Sequence, residues 1–191
     1  MAKIHGFNKL TLLDYPGRLA ATIFLGSCNF RCPFCHNAGL VLAPESEPLI
    51  ETEEVLKVLR KRKGILDGVC VTGGEPTLDP GLTGLLAQIK ELGYPVKLDT
   101  NGTRPALVRE LVDAGLVDYE FRTTVVKELH KREDIEAIGQ WLSGSRRYFL
   151  QNYKESEQVI RPVFTSYSRE QLENFQQILR KMIPQVEIRG I

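Results

Sequence analysis

The chain has 191 residues, 42% of them hydrophobic and 26% charged, with 25 basic side chains against 24 acidic ones. This balance leaves no electrostatic field that would attract nucleic acid or anionic lipid, and no apolar run approaches the ~20 residues that a membrane span needs. The sequence therefore predicts one globular domain over residues 1–191, with no nucleic acid or membrane partner.

The first predicted strand, at 19–25, is a short apolar run that ends at Gly26. Its residues are apolar on both faces, which is typical of a strand in a parallel sheet covered by helices. A helix is predicted at 52–63, where Val55, Leu56 and Leu59 recur with helical spacing, and a second buried strand at 67–72.

The rest of the chain continues this alternation of strands and helices. Helices are predicted at 79–92, 105–114, 133–142 and 168–182. Strands are predicted at 95–99, within 116–126, at 147–150 and at 186–189, and a long connection with an extended middle at 153–167. This order predicts an α/β fold with a parallel sheet and right-handed crossovers, either barrel-like or doubly wound.

Three cysteines, Cys28, Cys32 and Cys35, follow the first predicted strand directly. Thiolates hold zinc or iron-sulfur clusters, which normally take four protein ligands, so three cysteines leave one position open for a small molecule. The close spacing makes a poor disulfide framework, and the N-terminus lacks an apolar signal core. These features favour metal ligation in a reducing cytoplasm, with Cys70 as a buried strand residue.

Two further polar motifs follow predicted strands: Gly73, Gly74 and Glu75 come after the second, and Asp99, Thr100 and Asn101 after the next. Parallel strands end at one edge of the sheet, so we expect both motifs and the cysteines to form one active site. The glycines would let backbone approach a ligand, Glu75 would accept a hydrogen bond from an ammonium group, and the other three would offer oxygens to a polar ligand or small cation. The alternatives are a simple strand-exit turn and a helix-capping turn.

Other polar or aromatic side chains are expected to have structural roles. His5 and His130 have no ligand-spaced partners and are predicted at the surface or in caps. Trp141 is predicted to lie in the core, on the apolar side of its helix.

The cysteine motif, Cys28-Asn-Phe-Arg-Cys32-Pro-Phe-Cys35, followed by Gly73-Gly-Glu-Pro76, resembles the radical S-adenosylmethionine enzymes. Closer matches are Leu13–Gly17, Cys35–Asn37, Val71–Thr77, Lys97–Gly102 and Phe121–Val126. Together they are similar to the activating proteins of anaerobic ribonucleoside-triphosphate reductase, which are glycyl-radical-enzyme activases.

The resemblance implies a partial (βα) barrel and a [4Fe-4S] cluster held by Cys28, Cys32 and Cys35. The fourth iron would be chelated by the methionine end of S-adenosylmethionine. Reductive cleavage would give a 5′-deoxyadenosyl radical that takes a hydrogen atom from a glycine of anaerobic ribonucleotide reductase. An electron donor such as flavodoxin or ferredoxin would reduce the cluster.

The resemblance also implies a set of cofactor-binding residues. Phe34 and His36 would lie against the adenine, and Arg122 would face the cofactor carboxylate; the alternatives are packing, loop ordering and a solvated arginine, respectively. The full set is Phe34, His36, Gly73, Gly74, Glu75, Asp99, Thr100, Asn101 and Arg122.

One departure from the family pattern lies at the 119/120 junction, where Leu116–Tyr119 runs straight into Glu120–Thr124. A strand-helix unit of roughly 30 residues is missing there, which would shorten the barrel by about one βα unit. A strand-end acid and lysine are missing with it, so we expect weakened cofactor affinity. A natural minimal variant, an engineered deletion and a segment left out of the numbered sequence are all open explanations.

Three other functions stay open. The chain could activate another glycyl-radical enzyme or act on a small molecule. It could be a metal-binding protein without catalytic activity, in which His36 or another residue completes a zinc site with the three cysteines. It could also be an inactive remnant that still carries the cluster.

Overall fold

The computed structural model describes residues 1–191, and its first sheet has four strands in the order β1-β2-β3-β4. These strands are β1 (Ile4–Thr11), β2 (Ala20–Leu25), β3 (Gly68–Gly73) and β4 (Val96–Leu98). β2, β3 and β4 run parallel, as the sequence predicted. β1 was not predicted, and it pairs antiparallel with β2.

β1 escaped prediction because it is a half-exposed edge strand without an apolar run. Only Ile4 is buried along its length, and Asn8, Lys9 and Leu10 are exposed. An edge strand has a neighbouring strand on one side only and meets solvent on the other, so its sequence need not be hydrophobic throughout.

Four helices belong to the same part of the chain as this sheet. They are α1 (Ala38–Leu42), α2 (Thr52–Lys61), α3 (Leu82–Glu91) and α4 (Pro105–Asp113), with short 3-10 helices at Pro44–Ser46 and Pro76–Leu78. The buried leucines and valines of α2 and α3 pack in one core with Ile23, Val69 and Val71 of the sheet. Because side chains alternate along a strand, Thr22, Cys70 and Lys97, which pair in register across β2, β3 and β4, lie on the opposite face.

The second sheet has three parallel strands in the order β5-β6-β7. They are β5 (Phe121–Val125), β6 (Arg147–Asn152) and β7 (Gln185–Arg189), and they alternate with α5 (Arg132–Trp141) and α6 (Arg169–Leu179). Tyr148 and Leu150 pack with Leu172 and Leu179 in a separate core. The predicted α/β class with parallel strands is therefore confirmed.

The chain divides into two compact units, Met1–Tyr119 and Glu120–Ile191. The boundary coincides with the 119/120 junction, where the sequence predicts a missing strand-helix unit. The single domain, the partial barrel and the missing strand-helix unit stay predictions. None of the helices has the length and apolar character needed to cross a membrane.

The predicted burial of Trp141 is wrong, since this residue is 82% exposed. α5 buries Ile135 and Gly139, and Ile138 and Leu142 pack beside them. Trp141 lies six residues after Ile135, which turns it well away from that buried stripe on a helix of 3.6 residues per turn.

Candidate active site

The cysteine loop leaves the sheet through a sharp bend at the end of β2. Ser27 has a φ of 65°, the only positive φ of a non-glycine residue, and its N–H donates to the Leu40 carbonyl at 2.9 Å. A side chain on Gly26 would meet the His5 ring at 2.6 Å and would have to displace that ring. His5, predicted at the surface or in a cap, is half-buried on β1 and lies beside this bend.

The three cysteines of the loop are partly buried. Burial, and then the charges of Cys35 and Cys28, raises the pKa of the Cys32 thiol. Burial also raises the pKa of Cys35, although a hydrogen bond from the Asn37 backbone acts in the opposite direction. The Cys35 N–H donates to the Cys32 carbonyl at 3.0 Å, so a turn joins these two residues.

No three His, Cys, Asp or Glu side chains converge closely enough to hold one metal ion. The closed zinc site considered from the sequence, with His36 as the fourth ligand, is therefore not preformed. A cluster of several irons lies between its thiolates and needs them further apart than one ion does. Three partly exposed thiols on one loop are a donor set suited to such a cluster.

The double glycine after β3 lies directly against the cysteine loop. Gly73 has a φ of +125°, and a side chain on Gly74 would come within 1.9 Å of the Ser27 carbonyl oxygen. The Gly74 and Glu75 N–H groups donate to the carbonyls of Leu25 and Ser27, at 2.9 and 2.8 Å. The close approach that these glycines permit is thus first of all between two stretches of backbone.

Glu75 is 1% exposed and joins two segments of the chain. Its carboxylate accepts hydrogen bonds from the backbone and hydroxyl of Thr77, from the Thr100 hydroxyl at 2.7 Å and from the Asn101 N–H. The sequence predicted an ammonium partner for this carboxylate. The structure shows protein donors around it, and a cofactor contact stays a prediction.

Thr100 and Asn101 do not cap the helix that follows them. The N-cap of α4 is Arg104, and it has no side-chain cap hydrogen bond. The Asn101 side-chain amide instead reaches the cysteine loop, where it donates to Asn29 Oδ1 at 2.9 Å. The helix-capping alternative is therefore wrong for these two residues. As predicted, this strand-end motif lies next to the cysteine loop.

Asp99 forms an ion pair with Lys97, whose ammonium lies 2.5 Å from Asp99 Oδ1. Lys97 was not among the predicted site residues. Cys70 lies beside the pair, 3.8 Å from Asp99 Oδ2, and burial together with the Asp99 charge raises the pKa of its thiol to about 12. A usable signal was present, because alternation along the predicted strand 95–99 places Lys97 and Asp99 on the same side.

The remaining predicted site residues are Phe34, His36 and Arg122. Phe34 is half-buried and His36 exposed, both on the cysteine loop, and Arg122 is exposed on β5, in the second unit. Their contacts with a cofactor stay predictions. His130, predicted as a cap, accepts the Val126 N–H through Nδ1 at 3.1 Å.

Comparison with known proteins gives one family and several relatives. The sequence pattern of the radical SAM superfamily matches residues 22–137. A glycyl-radical enzyme activating enzyme of Methanocaldococcus jannaschii is 38% identical over 144 residues, which covers 72% of this chain and 58% of the relative.

Two other relatives are similar over shorter stretches. A pyruvate formate-lyase-activating enzyme of Clostridium pasteurianum is 35% identical, over 53% of this chain and 44% of the relative. A 7-carboxy-7-deazaguanine synthase of Hyperthermus butylicus is 34% identical, over 50% of this chain and 40% of the relative. The chain thus spans about half the length of these curated relatives.

Proposed function

The chain belongs to the radical S-adenosylmethionine superfamily, and from this premise we propose that it is an activating enzyme for a glycyl-radical enzyme. Enzymes of this family use a [4Fe-4S] cluster and S-adenosylmethionine. The observation that carries the proposal is the packing of the double glycine against the cysteine loop, which gathers three thiols and two strand-end motifs at one edge of the first sheet.

The residues present fit these cofactors. Cys28, Cys32 and Cys35 would hold the cluster, since they are three partly exposed thiols on one loop. When bound, cluster and S-adenosylmethionine supply a reductive cleavage that yields methionine and a 5′-deoxyadenosyl radical able to take a hydrogen atom from glycine.

The other residues would orient the cluster and S-adenosylmethionine and shield them from solvent. Gly73 and Gly74 hold the strand exit against the cysteine loop, and buried Glu75 fixes the turn at Thr100 and Asn101. Lys97 fixes the Asp99 carboxylate by an ion pair, on the side of the sheet opposite Val69 and Val71. We assign cofactor contacts to the exposed edge of this arrangement, and further contacts to Phe34, His36 and Arg122.

Two observations support the choice of the enzyme that this chain would activate. Two relatives are named as activating enzymes, one for glycyl-radical enzymes and one for pyruvate formate-lyase. The motifs Cys35–Asn37, Lys97–Gly102 and Phe121–Val126 favour anaerobic ribonucleotide reductase among such targets. Flavodoxin or ferredoxin in the cytoplasm would supply the electron.

The boundary between the two units supports the proposal of a barrel that lacks one strand-helix unit. It falls at residues 119/120, where the family pattern is interrupted. Such a chain would retain the local cluster site, while its distributed cofactor site would bind S-adenosylmethionine more weakly than that of a complete relative.

The test is anaerobic reconstitution with iron and sulfide, followed by reduction, addition of S-adenosylmethionine and assay for 5′-deoxyadenosine. We expect cluster-dependent 5′-deoxyadenosine, and a glycyl radical detected by electron spin resonance after anaerobic ribonucleotide reductase is added. A cluster without 5′-deoxyadenosine would indicate an inactive remnant, and stoichiometric zinc in anaerobically purified protein would favour the non-catalytic metal protein. A radical on pyruvate formate-lyase instead would change the target.

A further inference from the structure

The side-chain amide of Asn101 lies beside the sulfur of the first cysteine. Its Nδ2 is 3.9 Å from Cys28 Sγ and 2.9 Å from Asn29 Oδ1, so the amide contacts two adjacent residues of the cysteine loop. The same sulfur accepts the Phe30 N–H at 3.3 Å. Cys28 is therefore approached by one backbone donor and one side-chain donor.

The orientation of this amide is fixed by its other end. Asn101 Oδ1 accepts two hydrogen bonds from Thr103, from the backbone N–H at 3.0 Å and from the hydroxyl at 2.7 Å. With the oxygen taken by two donors, the NH₂ group must face the cysteine loop. Asn29 Nδ2 donates to Thr103 Oγ1 at 3.0 Å and completes a ring of three side chains.

The backbone of Asn101 is held as firmly as its side chain. Its N–H donates to the carboxylate of Glu75, which is 1% exposed. A buried carboxylate that accepts several donors is costly to move, because each donor would lose its partner. The amide thus reaches Cys28 from backbone that is anchored to a buried carboxylate.

We propose that Asn101 is a positioning residue that donates an N–H···S hydrogen bond to Cys28 and thereby raises the reduction potential of the cluster bound there. The inference rests on the proposed cluster assignment. Reduction adds negative charge to cluster and thiolates, and an N–H donor stabilises the more negative state. Hydrogen bonds to the sulfurs are among the features that set the potential of such clusters.

The test is a redox titration of the reconstituted full chain, followed by the spin-resonance signal of the reduced cluster. Asn101→Leu removes the donor without adding a charge, and Thr103→Val removes the hydroxyl that orients the amide while leaving Asn101 in place. We expect the ratio of reduced to oxidised cluster at fixed poise to fall about tenfold in Asn101→Leu, which is 59 mV for a one-electron couple. Thr103→Val should lower the same ratio by a smaller factor.

Asn101→Asp and Asn8→Asp form a matched pair, because each adds one negative charge. Asn8 lies exposed on β1, where its Oδ1 accepts the Leu10 N–H, a bond that aspartate retains. We expect a large decrease of potential in Asn101→Asp and parental behaviour in Asn8→Asp.

The outcomes separate this inference from the proposed function. A parent chain that assembles no cluster would refute the function itself. A parental potential in Asn101→Leu would overturn the inference while leaving the function intact. If Asn101→Leu does not retain its cluster, Thr103→Val decides, and an unchanged potential there overturns the inference.

Discussion

The carboxyl ends of β3 and β6 occupy equivalent places in the two units, yet they do different things. Both strands are central in their sheets, and each is followed or ended by a buried polar side chain, Glu75 at 1% and Asn152 at 8% exposure. Asn152 exchanges two hydrogen bonds with the backbone of Tyr167, at 2.9 and 3.0 Å, and so closes a single connection. Glu75 instead joins the exits of β3 and β4.

Similar parallel β/α architecture therefore does not by itself make a functional site. In the second unit the polar strand end satisfies the backbone of its own loop. In the first unit it brings together two motifs from distant parts of the sequence, next to three thiols. Four experiments test this difference between the two units.

The largest effect is expected from replacing a cysteine of the loop. Cys32→Ala should abolish cluster assembly, because the remaining two thiols cannot hold a cluster that takes three here. Iron and acid-labile sulfide per chain after anaerobic reconstitution measure this. Cys70→Ala is the control, since Cys70 is buried in β3, and it should keep its iron. Full iron in Cys32→Ala would remove the cluster from this loop.

The second effect concerns the contact between the double glycine and the cysteine loop. Gly74→Ala should lower the free energy of unfolding by about 1–3 kcal/mol, because its Cβ would meet the backbone oxygen of Ser27 at 1.9 Å. Urea unfolding of the metal-free chain measures the change. Gly84→Ala is the opposite control, since its Cβ meets nothing within 4 Å in helix α3, and it should stabilise by roughly 0.5–1 kcal/mol. Equal effects would contradict the close approach at Gly74.

The third experiment compares substitutions at the two strand ends directly. Glu75→Gln places an NH₂ group among hydrogen-bond donors, and Asn152→Ala leaves the Tyr167 backbone without its partners, so each should cost about 1–3 kcal/mol of unfolding free energy. Their iron contents should differ, with a decrease in Glu75→Gln and the parental value in Asn152→Ala. Equal losses of iron in both variants would show that the two strand ends are not functionally distinct.

The smallest effect is a pH dependence in the second unit. Hydrogen bonds from the side chain and backbone of Thr165 lower the pKa of the exposed Glu128 carboxyl below its ordinary value of 4.5. A pKa that is lowered in the folded state gives stability that is fully present above the unfolded-state pKa. This stability is lost as the pH falls through the folded-state pKa.

We therefore expect the unfolding free energies of the parent and of Glu128→Gln to differ slightly above pH 4.5 and to converge in more acid solution. Cluster content should be the same in both proteins. A difference that persists in acid would exclude ionisation of Glu128 as its cause.

Strands with a strong apolar signal were the most predictable part of the fold. β2 and β3 were placed to within a residue because both of their faces are apolar, whereas β1 was missed because it is a half-exposed edge. Proximity of the motifs could be predicted from topology alone, since parallel strands end at one edge. Trp141 was misplaced because one apolar residue near a helix end does not define a face.

Specific partners within the site could not be predicted in the same way. Glu75 and Lys97 were visible as polar residues, but their hydrogen bonds depend on the register of neighbouring strands and on loop conformation. The orientation of the Asn101 amide depends on Thr103, two residues further along, and has no counterpart in a spacing pattern.

The placement of every proposed cluster and strand-end residue in the first unit has a consequence for synthesis. Once Asn101 has been added, 90 residues of the numbered chain, 102–191, are still to come. At 5–20 residues per second this takes roughly 5–18 s. The thiols and the two strand exits beside them therefore leave the ribosome ahead of the second unit, and iron can reach the cysteines while the chain is still growing.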